Sequence, residues 1–321
     1  DAVATLRRAT ELNPGYSAAQ LKLAELMIRS RDEELLKEAE LRIQKILTDN
    51  PGDDDALFTL AAAQAQLGKP QDAERYLNEV LKRSPANLRS KMALALLKVA
   101  EQDLTGAEQI LKGAIQQAPA SDDAVVALAT LYAGMGRLSE AEPLFMKGIQ
   151  LNPGNTDAWI SLGSLQLKAG KKAVAEQSFK RAAELPKTKA PLAYVVFLIR
   201  QDRRAQAIAH LEQMFSANES NRVVRSALVA GYLTANRQPE AETILNDALK
   251  KNRLDLEALL QRSQIYFRKR NFGDALADLD KALSVSPTSP QAHYLRSKIF
   301  WAREDFDRHL ADGPGFSSRA P

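Results

Sequence analysis

NPGNTDAWISLGSLQLKAG, Asn152 to Gly170, decides the fold, because versions of its opening phrase return along the chain at a fixed interval. Pro51, Pro85, Pro119 and Pro153 are each 34 residues apart. The phrases around the prolines rhyme: NPGY at 13–16, NPGD at 50–53, SPAN at 84–87, APAS at 118–121, NPGN at 152–155 and SPTS at 286–289. A proline disfavours helix in the residue before it and so closes one helix. The small polar residues after it open the next. Self-similarity at this period is the mark of a repeat architecture.

Aligned on the prolines, a Leu–small pair recurs at Leu23-Ala24, Leu60-Ala61, Leu94-Ala95, Leu128-Ala129 and Leu162-Gly163. Twelve residues later comes Ala73, Ala107, Ala141 or Ala175, then Leu77, Leu111, Phe145 or Phe179, then Val80, Ala114, Gly148 or Ala182. Spacings of three and four mark one face of a helix. Small residues at fixed points let two helices approach, and large ones fill the gap beside them. Each unit is therefore two antiparallel helices joined by a short turn, marked by LGKP at 67–70, GMGRLS at 134–139, KAGKK at 168–172 and NRQPE at 236–240. Pro70 and Pro239 suit a helix's first turn. One pair cannot bury its apolar face alone, so neighbouring pairs stack.

The run Trp159, Leu162, Gly163, Gly170, Ala175, Phe179, Ala182, Pro186 resembles the tetratricopeptide (TPR) repeat, and the resemblance extends over nearly the whole chain. It implies an all-α, right-handed superhelical solenoid over residues 1–312. Residues 1–14 read as half a repeat. Full repeats fall at about 15–51, 52–85, 86–119, 120–153, 154–186, 187–219, 220–253 and 254–287. A partial repeat or capping helix follows at 288–312, and 313–321 reads as a disordered tail. The first full repeat has three extra residues in SRDEELLKEAE (30–40), whose charges are expected to swell its turn. Repeat 187–219 places Pro191 at the start of its first helix and lacks the closing proline, which predicts a local irregularity. Arg262-Ser263 replaces the Leu–small pair, with Asp278 placed to form an ion pair.

The chemistry is sparse. The chain of 321 residues holds no cysteine, which excludes disulfides, thiolate catalysis and Cys-bound zinc. No apolar run reaches the length of a membrane span. The opening DAVATLRRATEL reads as the middle of a longer protein, so the compartment stays open between cytoplasm and bacterial periplasm. The three histidines, His210, His293 and His309, lie far apart and lack metal spacing. His210 is expected to face solvent, and His293, at the position of Trp159, to be core. Asp53-Asp54-Asp55 and Asp122-Asp123 open helices, where negative charge meets the positive helix end. No nucleophile–base set or phosphate loop is present, so neither an enzyme nor a cofactor is expected. Residues 1–160 carry 18 basic and 23 acidic side chains, and residues 161–321 carry 26 and 17. The basic residues are mixed with acids and lack interleaved aromatics, which argues against nucleic acid.

The resemblance implies that first helices line a concave groove through their second, fifth, ninth, twelfth and thirteenth positions, counting Trp159 as fourth. The fifth row reads Leu21, Phe58, Met92, Val126, Ile160, Leu192, Ser226, Leu260, Tyr294. The twelfth reads Ile28, Ala65, Val99, Ala133, Leu167, Ile199, Leu233, Phe267, Trp301. Both are apolar almost throughout. Either they form an exposed stripe that binds a partner, or adjacent first helices bury them. Lys168, Lys189, Arg200, Arg268 and Lys298 add a basic rim toward the C-terminus. The Lys–Asn carboxylate clamp of chaperone-binding TPR domains is absent: the fifth row is apolar, and the ninth holds Glu25, Ala62, Leu96, Thr130, Ser164, Val196, Ala230, Gln264 and Lys298. The Asn ladder of the sugar-transferase type is absent too. The expected function is a non-catalytic protein-interaction scaffold. Its groove would take a protein or peptide segment that is apolar with some acidic residues. A spacer or self-association module, with Phe300, Trp301 and Phe306 exposed at one end, is the alternative. So is a recruiting arm of a larger bacterial envelope or secretion protein, since the Ala-rich repeats look like those of such scaffolds.

Overall fold

The computed structural model describes residues 2–185 and 190–311, with side chains over 3–185 and 190–304. The tail at 313–321, Pro186 and Lys189 lie outside these residues, as do the side chains of Phe306 and His309. Among the described residues the secondary structure is helical, without strands. The chain divides into two compact units, Asp1–Thr188 and Lys189–Pro321. The first holds α1 (Ala2–Leu12) and the pairs α2 (Ser17–Ser30) with α3 (Glu33–Asp49), α4 (Asp54–Gln66) with α5 (Pro70–Arg83), α6 (Leu88–Ala100) with α7 (Leu104–Gln117), α8 (Asp122–Gly134) with α9 (Leu138–Leu151), and α10 (Thr156–Lys168) with α11 (Lys172–Glu184). The second holds α12 (Ala193–Arg200) with α13 (Arg204–Ala217), α14 (Arg222–Thr234) with α15 (Gln238–Lys251), α16 (Leu256–Arg268) with α17 (Phe272–Val285), and the single helix α18 (Pro290–Ala311).

The recurring phrase closes one helix and opens the next, residue by residue. Asn50, Ser84, Ala118 and Asn152 each donate their backbone N–H four residues back, ending α3, α5, α7 and α9. Three residues on, Asp53, Asn87, Ser121 and Asn155 start the following helices. Their side-chain oxygens accept from the backbone N–H groups of Ala56, Ser90, Ala124 and Ala158 at 2.9, 3.0, 3.3 and 3.0 Å. Such caps satisfy donors that a helix start leaves orphaned, at about 1 kcal/mol each. The acidic helix starts also bind the next phrase: Asp122 Oδ2 accepts from the amides of Asn152 (2.8 Å) and Asn155 (2.7 Å). Within pairs, the turns after α4, α8 and α10 reverse through Gly68, Gly136 and Gly170 at φ of 74°, 77° and 73°. This left-handed conformation costs glycine nothing.

The residues aligned by the repeat form the core. Ala61, Ala73, Leu77 and Leu94 are buried together. So are Ala95, Ala107, Leu111, Leu128, Ala129, Ala141, Phe145 and Leu162. At Gly148 of α9 the approach is so close that a Cβ would fall 2.5 Å from Val126 Cγ2 of α8. At Gly163 of α10 a Cβ would lie 3.0 Å from the Phe179 ring of α11.

Several expectations change. The three extra residues do not swell the first turn. They lengthen α3 to 17 residues, where α5, α7 and α9 have 14. DEELLKEAE carries a cap, with Asp32 accepting from the Leu35 N–H at 3.0 Å, and Glu–Lys pairs that favour helix over loop. In repeat 187–219 the first helix, α12, has only 8 residues. It starts two residues after Pro191, whose ring disfavours helix at residue 190. His293 is exposed rather than core: its Nε2 meets the Pro287 carbonyl at 2.8 Å. Trp159 Nε1 donates to the Pro153 carbonyl at 3.0 Å in the same way. The fourth position thus spans the turn edge, and a polar ring does so without entering the core. His210 is half-buried rather than solvent-facing, because the Tyr194 ring lies edge-on to it at 5.1 Å.

A methyl group separates the two close approaches. Val126 is β-branched and stiff at χ1 in a helix. Gly148→Ala is therefore expected to lower unfolding free energy by about 1 kcal/mol in chemical denaturation, because an overpacking cost of about 1–3 kcal/mol exceeds the gain in helix propensity. Gly163→Ala is expected to be neutral or stabilising, since its counterpart Ala129 already sits in a core with Phe145.

Candidate partner-binding groove

The fifth and twelfth rows are largely covered, because each first helix packs along its neighbours. Leu21, Phe58, Met92, Val126, Ile160 and Leu167 are half-buried in the first unit, as are Leu192 and Phe267 in the second. Leu260 is only 3% exposed, so this candidate groove residue belongs to the core: α14 and α18 pack along both sides of α16. Phe58 lies beneath the Arg89 guanidinium, 3.8 Å from its ring centroid, and Arg89 also reaches Asp55 and Glu25. Open apolar surface appears at the ninth-position residues Leu96, 69% exposed, and Val196, and within the two rows only at Ile199, Tyr294 and Trp301 among the large described residues.

Around Leu96 the surface becomes concave. A cavity of about 560 Å³ opens between α6 and α8. Met92 and Val99 of α6 and Ala127 and Leu131 of α8 form its walls, Leu104 of α7 lies behind, and Leu96 and Met135 stand at its mouth. Polar side chains enter only from Gln102 and Thr130. A site with these walls binds by excluding water from apolar groups and offers little hydrogen-bond specificity. Of the two candidate rows, Met92 of the fifth and Val99 of the twelfth line it. Leu96 belongs to the ninth row, where it is a large apolar residue among Glu25, Thr130, Ser164 and Gln264, and Met135 lies outside the rows.

One carboxylate fixes the helices around this cavity. Glu108 of α7 accepts from the Tyr132 hydroxyl of α8 at 2.9 Å and pairs with Arg137 and Lys112, both at 2.7 Å. The Arg137 guanidinium lies 3.9 Å from the Tyr132 ring centroid. Hydrogen bonds from Lys112, Tyr132 and Arg137 hold the Glu108 carboxyl down at about 2. The second unit repeats the clasp: the Tyr232 hydroxyl donates to Glu212 at 2.8 Å, and Arg237 pairs with Glu212 at 3.0 Å. Burial, then the Glu212 carboxylate, pushes the Tyr232 hydroxyl up to about 12.

In the second unit, α16 and α18 bring three candidates together. The Lys298 ammonium lies 5.5 Å from the Tyr294 ring centroid and 5.6 Å from that of Phe267. Tyr294 is 63% exposed. Arg200, Arg268 and Lys168 are exposed, and among the described residues none forms an ion pair. The Arg262–Asp278 pair forms within its repeat at 2.7 Å, with Arg262 also donating to Asn246 at 2.8 Å. Among the described residues no group of three His, Cys, Asp or Glu side chains is placed to hold a metal, and no helix is long and apolar enough to cross a membrane.

Two family models, both described as tetratricopeptide repeat, match residues 31–97 and 98–148, and residues 126–190, 226–290 and 260–311. No curated protein matches the chain. Among solved structures, a monomeric IFIT1 mutant with Gppp-AAAA shares 18% identity at a TM-score of 0.53, over 88% of this chain and 67% of that one. MamA shares 24% identity at a TM-score of 0.41, over 49% of this chain and 91% of that one. Pseudomonas aeruginosa PilF shares 18% identity at a TM-score of 0.49, over 64% of this chain and 93% of that one. At these identities the likeness is one of fold.

The Glu108 clasp makes stability depend on acid. Its carboxyl titrates near 2 in the fold against 4.5 ordinarily, so its contribution is complete above 4.5 and is lost as pH falls toward 2. Glu108→Gln is expected to lower the melting temperature at neutral pH. It is also expected to flatten the further fall between about pH 5 and about pH 2.5, followed by circular dichroism.

Proposed function

The chain belongs to the tetratricopeptide repeat family, whose repeats mediate protein–protein interaction, and on that footing we propose that it is a non-catalytic scaffold whose first unit seats an apolar stretch of a partner protein in the cavity between α6 and α8. The observation that carries this reading is Leu96, a large apolar side chain left 69% exposed at the mouth of an apolar cavity. Removing such a side chain from water is worth about 1.5–3 kcal/mol to whatever covers it. In the second unit, Tyr294, Phe267 and Lys298, with Arg200 and Arg268, offer an aromatic and basic surface suited to acidic residues of the partner. The partition into eight repeats between two partial ones is part of the same reading.

Leu96→Asp tests the cavity without touching the core. The captured proteins are compared quantitatively between the parent chain, Leu96→Asp and a control, Val174→Asp, whose residue is exposed on α11. With equal circular dichroism spectra, proteins held by the parent and the control are expected to drop out with Leu96→Asp. Equal capture by all three chains would move the site elsewhere.

Self-association is the second reading, favoured by α18, where Trp301 is 73% and Tyr294 63% exposed. Sedimentation velocity is expected to show a mass that rises with concentration, and Trp301→Glu is expected to abolish that rise. A concentration-independent monomer for both chains would remove this reading.

A further inference from the structure

A cleft of about 920 Å³ opens on the second unit beside α15, α16 and α17. Lys250, Arg253, Arg262 and Lys281 line it with the apolar Leu249 and Leu254, and no carboxylate does. Lys250 and Arg262 are engaged by Asp247 and Asp278. Among the described residues Arg253 and Lys281 have no ion pair, and both are exposed. Leu254 beside them is 54% exposed.

The fold does not require these side chains. Arg253-Leu254 occupies the place that Pro-Gly holds in NPGY, NPGD and NPGN. The turn is nevertheless the same. Asn252 N–H bonds Ala248 O at 2.8 Å and Asp255 N–H bonds Asn252 O at 3.1 Å, against 2.9 and 3.0 Å for Asn152 and Asn155. The Leu254 N–H meets Asn252 Oδ1 at 3.1 Å, as the Gly154 N–H meets Asn152 Oδ1. One repeat earlier, the positions of Arg253 and Lys281 hold Glu219 and Asp247, which pair with Lys251 and Lys250 at 2.7 and 2.9 Å. The sign of charge is thus inverted from one repeat to the next, and among the described residues the two cations lack the ion-pair partners that Glu219 and Asp247 have. Like charges gathered around an exposed leucine give a surface whose complement is acidic with an apolar group.

We propose that this cleft docks an acidic protein segment carrying an apolar side chain. Its carboxylates meet Arg253 and Lys281, and its apolar group packs on Leu254 over Leu249. The site is separate from the cavity between α6 and α8 and does not depend on it. The test uses the full chain and a fluorescein-labelled dodecapeptide of repeating Glu-Glu-Leu, read by fluorescence anisotropy at low and physiological salt. An all-Glu dodecapeptide and a single-stranded oligonucleotide of equal length are the comparisons. Arg253→Pro with Leu254→Gly recreates the phrase found in the other turns and is expected to keep the melting temperature. Lys281→Glu alters an exposed helix position away from the turn. Each is expected to weaken the Glu-Glu-Leu peptide about tenfold or more, and the all-Glu peptide is expected to bind the parent chain about tenfold less well. The proposal is overturned if the parent chain does not bind the peptide, or if both variants bind it as the parent does. It is equally overturned if the all-Glu peptide or the oligonucleotide binds as tightly, which would show attraction to any polyanion.

Discussion

The helix pairs of the first unit depend on one contact: a large side chain from the second helix seated against an alanine or glycine of the first, a place that Val195, Val229 and Ser263 take in the second unit. Ala61 with Leu77 and Ala129 with Phe145 are buried together in this way, and Gly163 lies against Phe179. The small residue sets how near the helix axes come, and that distance fixes which other side chains meet. No single pair has a core of its own, so neighbouring pairs within a unit share one, as Leu94 of α6 does with Ala61, Ala73 and Leu77 of α4 and α5. The caps in the recurring phrase hold it in register, ending and starting helices within three residues.

What remains of each first helix after this packing is the surface available for binding. Its openness is set by the neighbours and varies from one helix to the next. Between α6 and α8 the small Ala127 leaves room that Leu96 and Met135 border without filling. At Leu260 the neighbours close completely. The clasp of Glu108, Tyr132 and Arg137 matters here because it holds α7 and α8 at a fixed separation through charge-assisted hydrogen bonds, leaving the apolar wall free of structural polar duties. The second unit uses the same device with Glu212, Tyr232 and Arg237.

Charge divides into paired and unpaired sets with different meanings. Most exposed ion pairs lie within one helix and contribute a few tenths of a kcal/mol at most, about what helical i,i+4 pairs give. Those that reach the next helix or turn, such as Lys171 with Glu142 at 2.8 Å and Lys98 with Glu74 at 2.8 Å, add register. The cations without ion pairs among the described residues, Arg253 and Lys281 included, do neither. Their place beside exposed apolar side chains makes them the informative minority.

The sequence alone determined the helix pairs, their 34-residue period, the caps and the close contacts, because each follows from residues within one turn or one repeat of each other. Helix periodicity, proline and cap chemistry act locally, so Asp53, Asn155 and the Ala–Leu pairs were legible without a structure. The Arg262–Asp278 pair was legible too, being an exchange inside one repeat. Tertiary structure decided what stayed exposed. Leu260 and Tyr294 occupy the same register position, yet one is 3% and the other 63% exposed. His293 and Trp159 make the same bond, and the additions to the first repeat lengthened a helix instead of a turn. Burial is a property of the helices on either side, and the repeat pattern is nearly identical whether those helices press close or leave a cavity.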